Sequence, residues 1–393
     1  MRPLDGITVL ALEQAIAAPF CTRQLADLGA RVIKIERPSV GDFARSYDER
    51  VRGLSSHFVW CNRSKESLTL NVKHPAAEGI LAKLLEIADV LVQNFAPGAA
   101  ARLGLSYDCL RHKYPKLIVC DISGYGGGDG PYRNRKAYDL LIQSECGLLS
   151  ITGSPEQPAK AGCSIADIAA GMYAYSNILA ALIQRGKIGQ GCWIDVSVLE
   201  SMIEWMSYPL YFAFDGAAPP PRAGARHATI CPYGPFPTGD GKTVILGIQN
   251  EREWMLFCEK VLERPELATD LRFSSNSRRT TAQQELSAII NEAFSRLMAE
   301  EVIERLDSAQ IAYARLNDMH EVWSHPQLKA RRRWVDVDTP AGRIPALLPP
   351  GMPDGYTPRM DAVPALGEHT EAILGELGYD SDTIACLRAQ HAI

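Results

Sequence analysis

Ile7-Thr8-Val9-Leu10-Ala11-Leu12, then Glu13-Gln14-Ala15-Ile16-Ala17-Ala18-Pro19, then Arg31-Val32-Ile33-Lys34-Ile35-Glu36: these three runs decide the fold. The first is short and apolar throughout, as a strand covered on both faces should be. Pro19 stands where a helix can start, because the N–H that proline lacks would go unbonded in the first turn in any case. Phe20, Leu25 and Leu28 follow on one face at helical spacing, and Gly29 ends the helix. Residues 31–36 read as a second strand, and the unit is β-α-β.

Working outward, the pattern recurs. The sequence predicts a helix over 75–87, a strand over 89–93, a helix near Leu110 and a strand over 117–122. Such alternation belongs to a Rossmann-like, doubly wound parallel sheet of the α/β class. Ser123-Gly124-Tyr125-Gly126-Gly127-Gly128-Asp129-Gly130-Pro131 is a flexible loop. Helices over 138–149 and 168–184, a strand over 193–198 and a long helix to about 214 come next. The Pro-rich stretch 217–222 reads as a linker. A strand over 243–248 and helices around Trp254 and Leu286 imply a smaller α+β domain. The expected division is a large domain over 1–216, a small one over 217–330, and a linker and C-terminal segment over 331–393 that returns to the large domain.

Hydrophobic residues make up 46% of the 393 and charged residues 22%, ordinary values for a globular chain with a large core. The net charge is −5 with no basic block, which speaks against nucleic acid. An anionic ligand must then be held by local cations. No apolar stretch reads as long enough for a membrane span, and the start lacks the pattern of a signal peptide. The ten Cys form no Cys-x-x-Cys and no Cys/His cluster, so neither disulfides nor a metal site is expected. A reducing cytoplasm is the expected compartment.

A β-α-β unit invites a dinucleotide. Here the first turn, residues 13–19, has no Gly-x-Gly-x-x-Gly, so a pyrophosphate cannot approach that backbone in the usual way. The Gly-rich loop lacks the Lys-Ser/Thr of a P-loop; it is either a mobile loop beside a site or plain surface. Asp167, in Ser164-Ile165-Ala166-Asp167-Ile168-Ala169-Ala170-Gly171, opens an apolar helix. Two readings fit it. It can cap the helix. It can also be a nucleophile kept ionised by the N–H groups of the helix end. Tyr138-Asp139 opens another helix, which on its own suggests a packed Tyr and a solvated Asp. Arg222, Arg226 and His227 could bind a carboxylate or stand in solvent.

Five stretches carry a resemblance over almost the full length. They are Ala26-Asp27-Leu28-Gly29-Ala30-Arg31-Val32-Ile33-Lys34-Ile35-Glu36-Arg37-Pro38; Asn62-Arg63-Ser64-Lys65-Glu66-Ser67-Leu68-Thr69-Leu70; Asp89-Val90-Leu91-Val92-Gln93-Asn94-Phe95-Ala96-Pro97-Gly98; Arg102-Leu103-Gly104-Leu105; and Leu366-Gly367-Glu368-His369-Thr370. In this order they resemble the class III CoA-transferases, the family of formyl-CoA transferase and the carnitine CoA-transferases. The resemblance implies Asp167 as nucleophile, although Ala166 stands where that family has Gly. It implies coenzyme A contacts at Ile16, Ala17, Arg37, Leu70, Asn71, Lys73, Asn94, Phe95, Arg102, Lys136 and Tyr138. It also implies an interlocked homodimer.

Within the family, α-methylacyl-CoA racemases carry a His where this chain has Tyr138. A phenol of pKa near ~10 is a poor base at neutral pH beside an imidazole near ~6.5, so Tyr138 favours transfer over racemisation. The expected activity is CoA transfer from an acyl-CoA, succinyl-CoA above all, to a small dicarboxylic acid such as itaconate, mesaconate or malate. An intramolecular mesaconyl-CoA transferase and a racemase or epimerase are the alternatives. Residues 231–238 and 247–254 look more like the dicarboxylate members than like formyl-CoA transferase, whose Gly-run loop is missing here. A second carboxylate needs a cation, and Arg45, Arg52 and Arg226 are the candidates.

Overall fold

Thr8–Leu12 forms β1, Arg31–Glu36 β2, Lys65–Thr69 β3, Val90–Gln93 β4, Ile118–Ser123 β5 and Trp193–Ser197 β6. In a computed structural model, which describes residues 1–351 and 354–393, these strands pair in the order β3-β2-β1-β4-β5-β6. Every pair is parallel, with Val9 beside Val32 on one flank and Val90 on the other. The expected α/β class with a parallel sheet is therefore correct. The strand order reverses between β1 and β4, which opens a crevice at the carboxyl ends of the strands.

Helices α1 (Ala17–Asp27), α2 (Ser56–Asn62), α3 (Ala77–Ile87), the single turns α4 (Ala99–Arg102) and α5 (Tyr107–Leu110), α6 (Asp139–Glu145), α7 (Leu148–Ile151), α8 (Ile165–Ile188), α9 (Val198–Trp205) and α10 (Ser207–Phe212) follow in order. The chain folds into two compact units. One comprises 1–147, 161–207 and 328–393, and the other 148–160 and 208–327.

In the first unit, one face of the sheet is sealed by Leu10, Ile33, Leu68, Leu91 and Val119 packing on Ile80 and Leu84 of α3 and on Ile373, Leu374, Ile384 and Leu387 near the C-terminus. Each such side chain contributes roughly 1.5–3 kcal/mol on burial. On the other face α1 packs on α8. The approach is close because Gly171 lacks a Cβ: one built there would meet Ala17 O at 2.7 Å and Phe20 Cδ1 at 3.0 Å. By length and composition α8 is apolar enough to span a membrane, which corrects the sequence-based reading. Its small face, Ala166, Ala169, Ala170, Gly171 and Ala174, is buried in this packing, as in a core helix.

β3 and α2 are absent from the sequence-based expectation. Lys65-Glu66-Ser67 does not look like a strand, yet Lys65 and Ser67 are buried and paired with Glu13 and Glu36, and Glu66 with Arg31. Two expected helices are broken. Gly147 at φ 84° separates α6 from α7, and α9 stops at Met206, where Pro209 supplies no N–H to continue the ladder.

The second unit has an antiparallel sheet, β7 (Tyr233–Pro237), β8 (Thr243–Gly247) and β9 (Tyr313–Arg315). β7 escapes notice in the sequence because of Pro235 and Pro237, which an edge strand tolerates. Its core gathers Trp254, Phe257, Phe273 and Phe294.

Candidate active site

The turn after β1 is built from outside. Asn94, just past β4, accepts the N–H of Gln14 at 2.9 Å and donates its amide to Gln14 O at 2.9 Å. Glu13 is fully buried and takes Lys65 Nζ at 2.6 Å, Lys34 Nζ at 3.2 Å and the Thr22 hydroxyl at 2.6 Å. Burial alone would raise its carboxyl, but the ammonium groups of Lys34 and Lys65 outweigh that and hold it low. Lys65 itself is brought down to about 8, by burial above all, with the charge of Lys34 adding to it.

Beyond this turn lies a cleft of about 340 Å³ at the carboxyl ends of β1, β2 and β4. Leu12, Ile35, Leu70 and Phe95 give it apolar walls, and Arg37 and Lys73 give it cations. Such a cleft can take a flat apolar group together with anionic ones.

Of the residues implied by resemblance, Arg37, Leu70, Lys73 and Phe95 line this cleft. Ile16 and Ala17 are buried at the entry to α1, and Asn94 acts through Gln14. Asn71 is tied by its N–H to Ala392 O at 2.7 Å. Arg102 is exposed on α4, and Lys136 and Tyr138 are exposed ahead of α6, Tyr138 at 66%. Arg45 is not a free cation. It forms a bidentate pair with Glu36, both contacts 2.8 Å, and lies 3.7 Å over the Phe58 ring. Arg52 is exposed, at φ 53°. Arg226 is exposed in the second unit, against Gly234. Gln14, Phe43, Val72 and Leu103 also line the cleft and were missed. The rule that ligands bind outside the carboxyl ends of strands would have found Gln14 and Val72.

Asp167 does not cap α8. Ser164 holds the N-cap position without a side-chain cap, which leaves Asp167 at the third helical residue. The cap comes from Asp139, whose Oδ1 accepts the N–H of Ala166 at 2.8 Å and of Asp167 at 3.3 Å. Gln143 steadies Asp139 through its amide at 2.6 Å and accepts Ala161 N–H at 2.9 Å. The expectation that helix-end N–H groups keep Asp167 ionised is thereby overturned. Those N–H groups serve Asp139, and what Asp167 feels is a like charge. Burial, with Asp139 behind it, pushes the Asp167 carboxyl up to about 7.

Gly171 lies one turn along the same face as Asp167 and abuts Ala17 O. Asp167 is therefore on the face of α8 that packs on α1, whose N-cap Ile16 offers no side-chain cap. Tyr47 connects this point with the cleft. Its ring packs on Phe43 at 5.8 Å and edge-on to His57 at 5.3 Å. Burial, then the charges of Asp42 and Asp167 and the nearby Tyr138, push its hydroxyl up to about 12.

Comparison with known proteins places the chain in a family. The model of CoA-transferase family III matches residues 4–370. The chain is similar to succinyl-CoA:glutarate CoA-transferase of Homo sapiens, 34% identical over 98% of this chain and 88% of that one. It is also similar to succinyl-CoA:mesaconate CoA-transferase of Haloarcula marismortui, 32% identical over 98% of each. Among solved structures, a CAIB/BAIF family protein from Brucella suis superposes with a TM-score of 0.85 at 32% identity, covering 96% of this chain and 99% of that one. A match spanning sheet, cleft and Asp167 together leaves one assignment: the chain belongs to CoA-transferase family III.

Proposed function

We propose that this protein moves CoA from succinyl-CoA to a small dicarboxylic acid, with Asp167 forming a covalent intermediate. The observation that carries the reading is Asp167 itself, a carboxylate held in the first turn of α8 with a raised pKa, on the face that packs on α1. Once ionised, a carboxylate of higher pKa is the stronger nucleophile.

Asp167 attacks the thioester carbonyl of the donor. The oxyanion faces the first N–H groups of α1, where the helix end favours negative charge. CoA thiolate leaves, and a mixed anhydride joins Asp167 to the donor acyl group. The thiolate attacks the Asp167 acyl carbon, which releases the donor acid and gives an aspartyl-CoA thioester. The acceptor carboxylate displaces the thiolate to form a second anhydride, and the thiolate takes the acceptor acyl group, restoring Asp167. Arg37 and Lys73 would hold the nucleotide end of CoA through both exchanges, raising the effective concentration of the thiolate.

The activities of the relatives support C4 and C5 dicarboxylates as acceptors, glutarate, mesaconate and malate among them, and itaconate is of the same size and charge. The reading includes a cytoplasmic homodimer. Exposed Tyr208, Tyr211 and Phe214 suit cover by a second copy.

The test incubates the purified protein with succinyl-CoA and, separately, glutarate, mesaconate, itaconate, malate, carnitine and oxalate, and reads new CoA esters by mass spectrometry. A new ester that disappears in Asp167→Ala names the acceptor. No ester from any acid sinks the transferase reading and turns attention to deuterium exchange beside the thioester of a branched acyl-CoA.

A further inference from the structure

Two loops beside the cleft converge on one buried carboxylate outside the chemistry described above. Asp42 is fully buried. Its Oδ1 accepts the N–H of Ala15 at 3.0 Å and of Ala44 at 2.9 Å, and its Oδ2 accepts Lys34 Nζ at 2.8 Å. Its own N–H donates to Glu36 Oε1 at 3.0 Å. Ala15 belongs to the turn that leads into α1, and Ala44 to the 3-10 turn Phe43–Ser46 that delivers Phe43 to the cleft and Tyr47 toward Asp167.

The first loop needs holding. Ala15 sits at φ 63°, a left-handed conformation that residues with a Cβ keep only when their surroundings enforce it. A buried acceptor bonded to its N–H is such an enforcement. Lys34, fully buried and shared with Glu13, fixes that acceptor from below. A second strap runs alongside: the N–H of Phe43 donates to Gln14 Oε1 at 3.2 Å.

We propose that Asp42 is a positioning residue for CoA transfer: through Ala15 and Ala44 it locks the first β-α turn and the 43–47 segment into one arrangement that acyl-CoA and Asp167 both require. The role rests on the transferase reading, but its first readout, CoA affinity, does not.

The experiment compares wild type, Asp42→Asn, Ala15→Gly and the double variant. It measures CoA affinity by calorimetry, steady-state transfer from succinyl-CoA and thermal midpoints, all at a temperature where each is folded. Asp42→Asn sets an amide NH2 against either the Lys34 ammonium or the two loop N–H groups, so it should weaken CoA and lower kcat/KM about tenfold or more, since small misplacements of a reacting group cost that much. Ala15→Gly in the Asp42→Asn background should recover much of the lost CoA affinity, because Gly adopts the left-handed turn unaided. A lowered midpoint with unchanged affinity and no rescue would make Asp42 merely structural and overturn the proposal. If wild type binds CoA yet transfers nothing, the transferase reading fails while the affinities still judge Asp42. Should Asp42→Asn not fold, hydrogen exchange on wild type decides. Added CoA must slow exchange over both 13–17 and 43–47; slowing of the first alone refutes the lock.

Discussion

The carboxylate of Asp139 accepts the N–H of Asp167 at 3.3 Å, so the residue that orients the proposed nucleophile also opposes its charge. Asp139 fixes the first turn of α8 and, by proximity, destabilises the ionised form of Asp167. Burial acts in the same direction and is the larger cause. Two carboxylates in different surroundings thus take different roles, one as acceptor for a helix end and one as the proposed nucleophile.

The pH profile should report this. In the proposed mechanism transfer needs ionised Asp167, whose carboxyl burial and then Asp139 push up to about 7 from the ordinary value of 3.8. As pH falls through about 7 the nucleophile becomes protonated. The kcat/KM for succinyl-CoA should therefore drop tenfold per unit on the acid side and level off above. Initial rates from pH 5 to 9 check it. An acid limb centred near 4 would mean that Asp167 is an ordinary surface carboxylate.

Asp139→Asn separates the two effects of Asp139. The variant keeps an oxygen to accept from Ala166 and Asp167 but loses the like charge. The acid limb should move down by roughly one unit with little loss at its plateau. Asp139→Ala should also lose the cap, at a cost of about 1 kcal/mol in stability. A limb that stays in place in Asp139→Asn would leave burial as the whole cause.

How far the sequence disclosed this site depended on whether the information was local. β1, β2, β4 and β5 are short apolar runs, and the alternation around them announces a parallel sheet. β3 stays hidden because its buried Lys65 and Ser67 read as surface until their partners Glu13 and Glu36 are known, and those lie 52 and 31 residues away in sequence. Asp167 is conspicuous at the head of an apolar helix. That its cap is Asp139, 28 residues earlier, follows from no local pattern. Arg45 looks like a spare cation for the same reason, since its partner Glu36 is on another element. The cleft residues Arg37, Leu70, Lys73 and Phe95 came from resemblance, and the geometry then gathers them in one place.

Gly171→Ala probes the last link, from helix packing to nucleophile placement. A Cβ at 171 would fall 2.7 Å from Ala17 O and 3.0 Å from Phe20 Cδ1. The first contact is with backbone at the start of α1, which cannot rotate aside, so α8 and α1 must separate by several tenths of an ångström. Overpacking of this kind costs about 1–3 kcal/mol. A helix interior prefers Ala to Gly by up to about 1 kcal/mol, which offsets part of that. The net loss in stability should thus be modest. The functional loss should be larger, because Asp167 is on the same face one turn away and moves with the helix relative to the amino end of α1. Thermal unfolding should show a fall of a few degrees, with kcat down about tenfold or more and KM for succinyl-CoA changed less, since Arg37 and Lys73 lie off this contact. An unchanged kcat with a lowered midpoint would break the link between the α1–α8 contact and the nucleophile and leave Gly171 a packing residue alone.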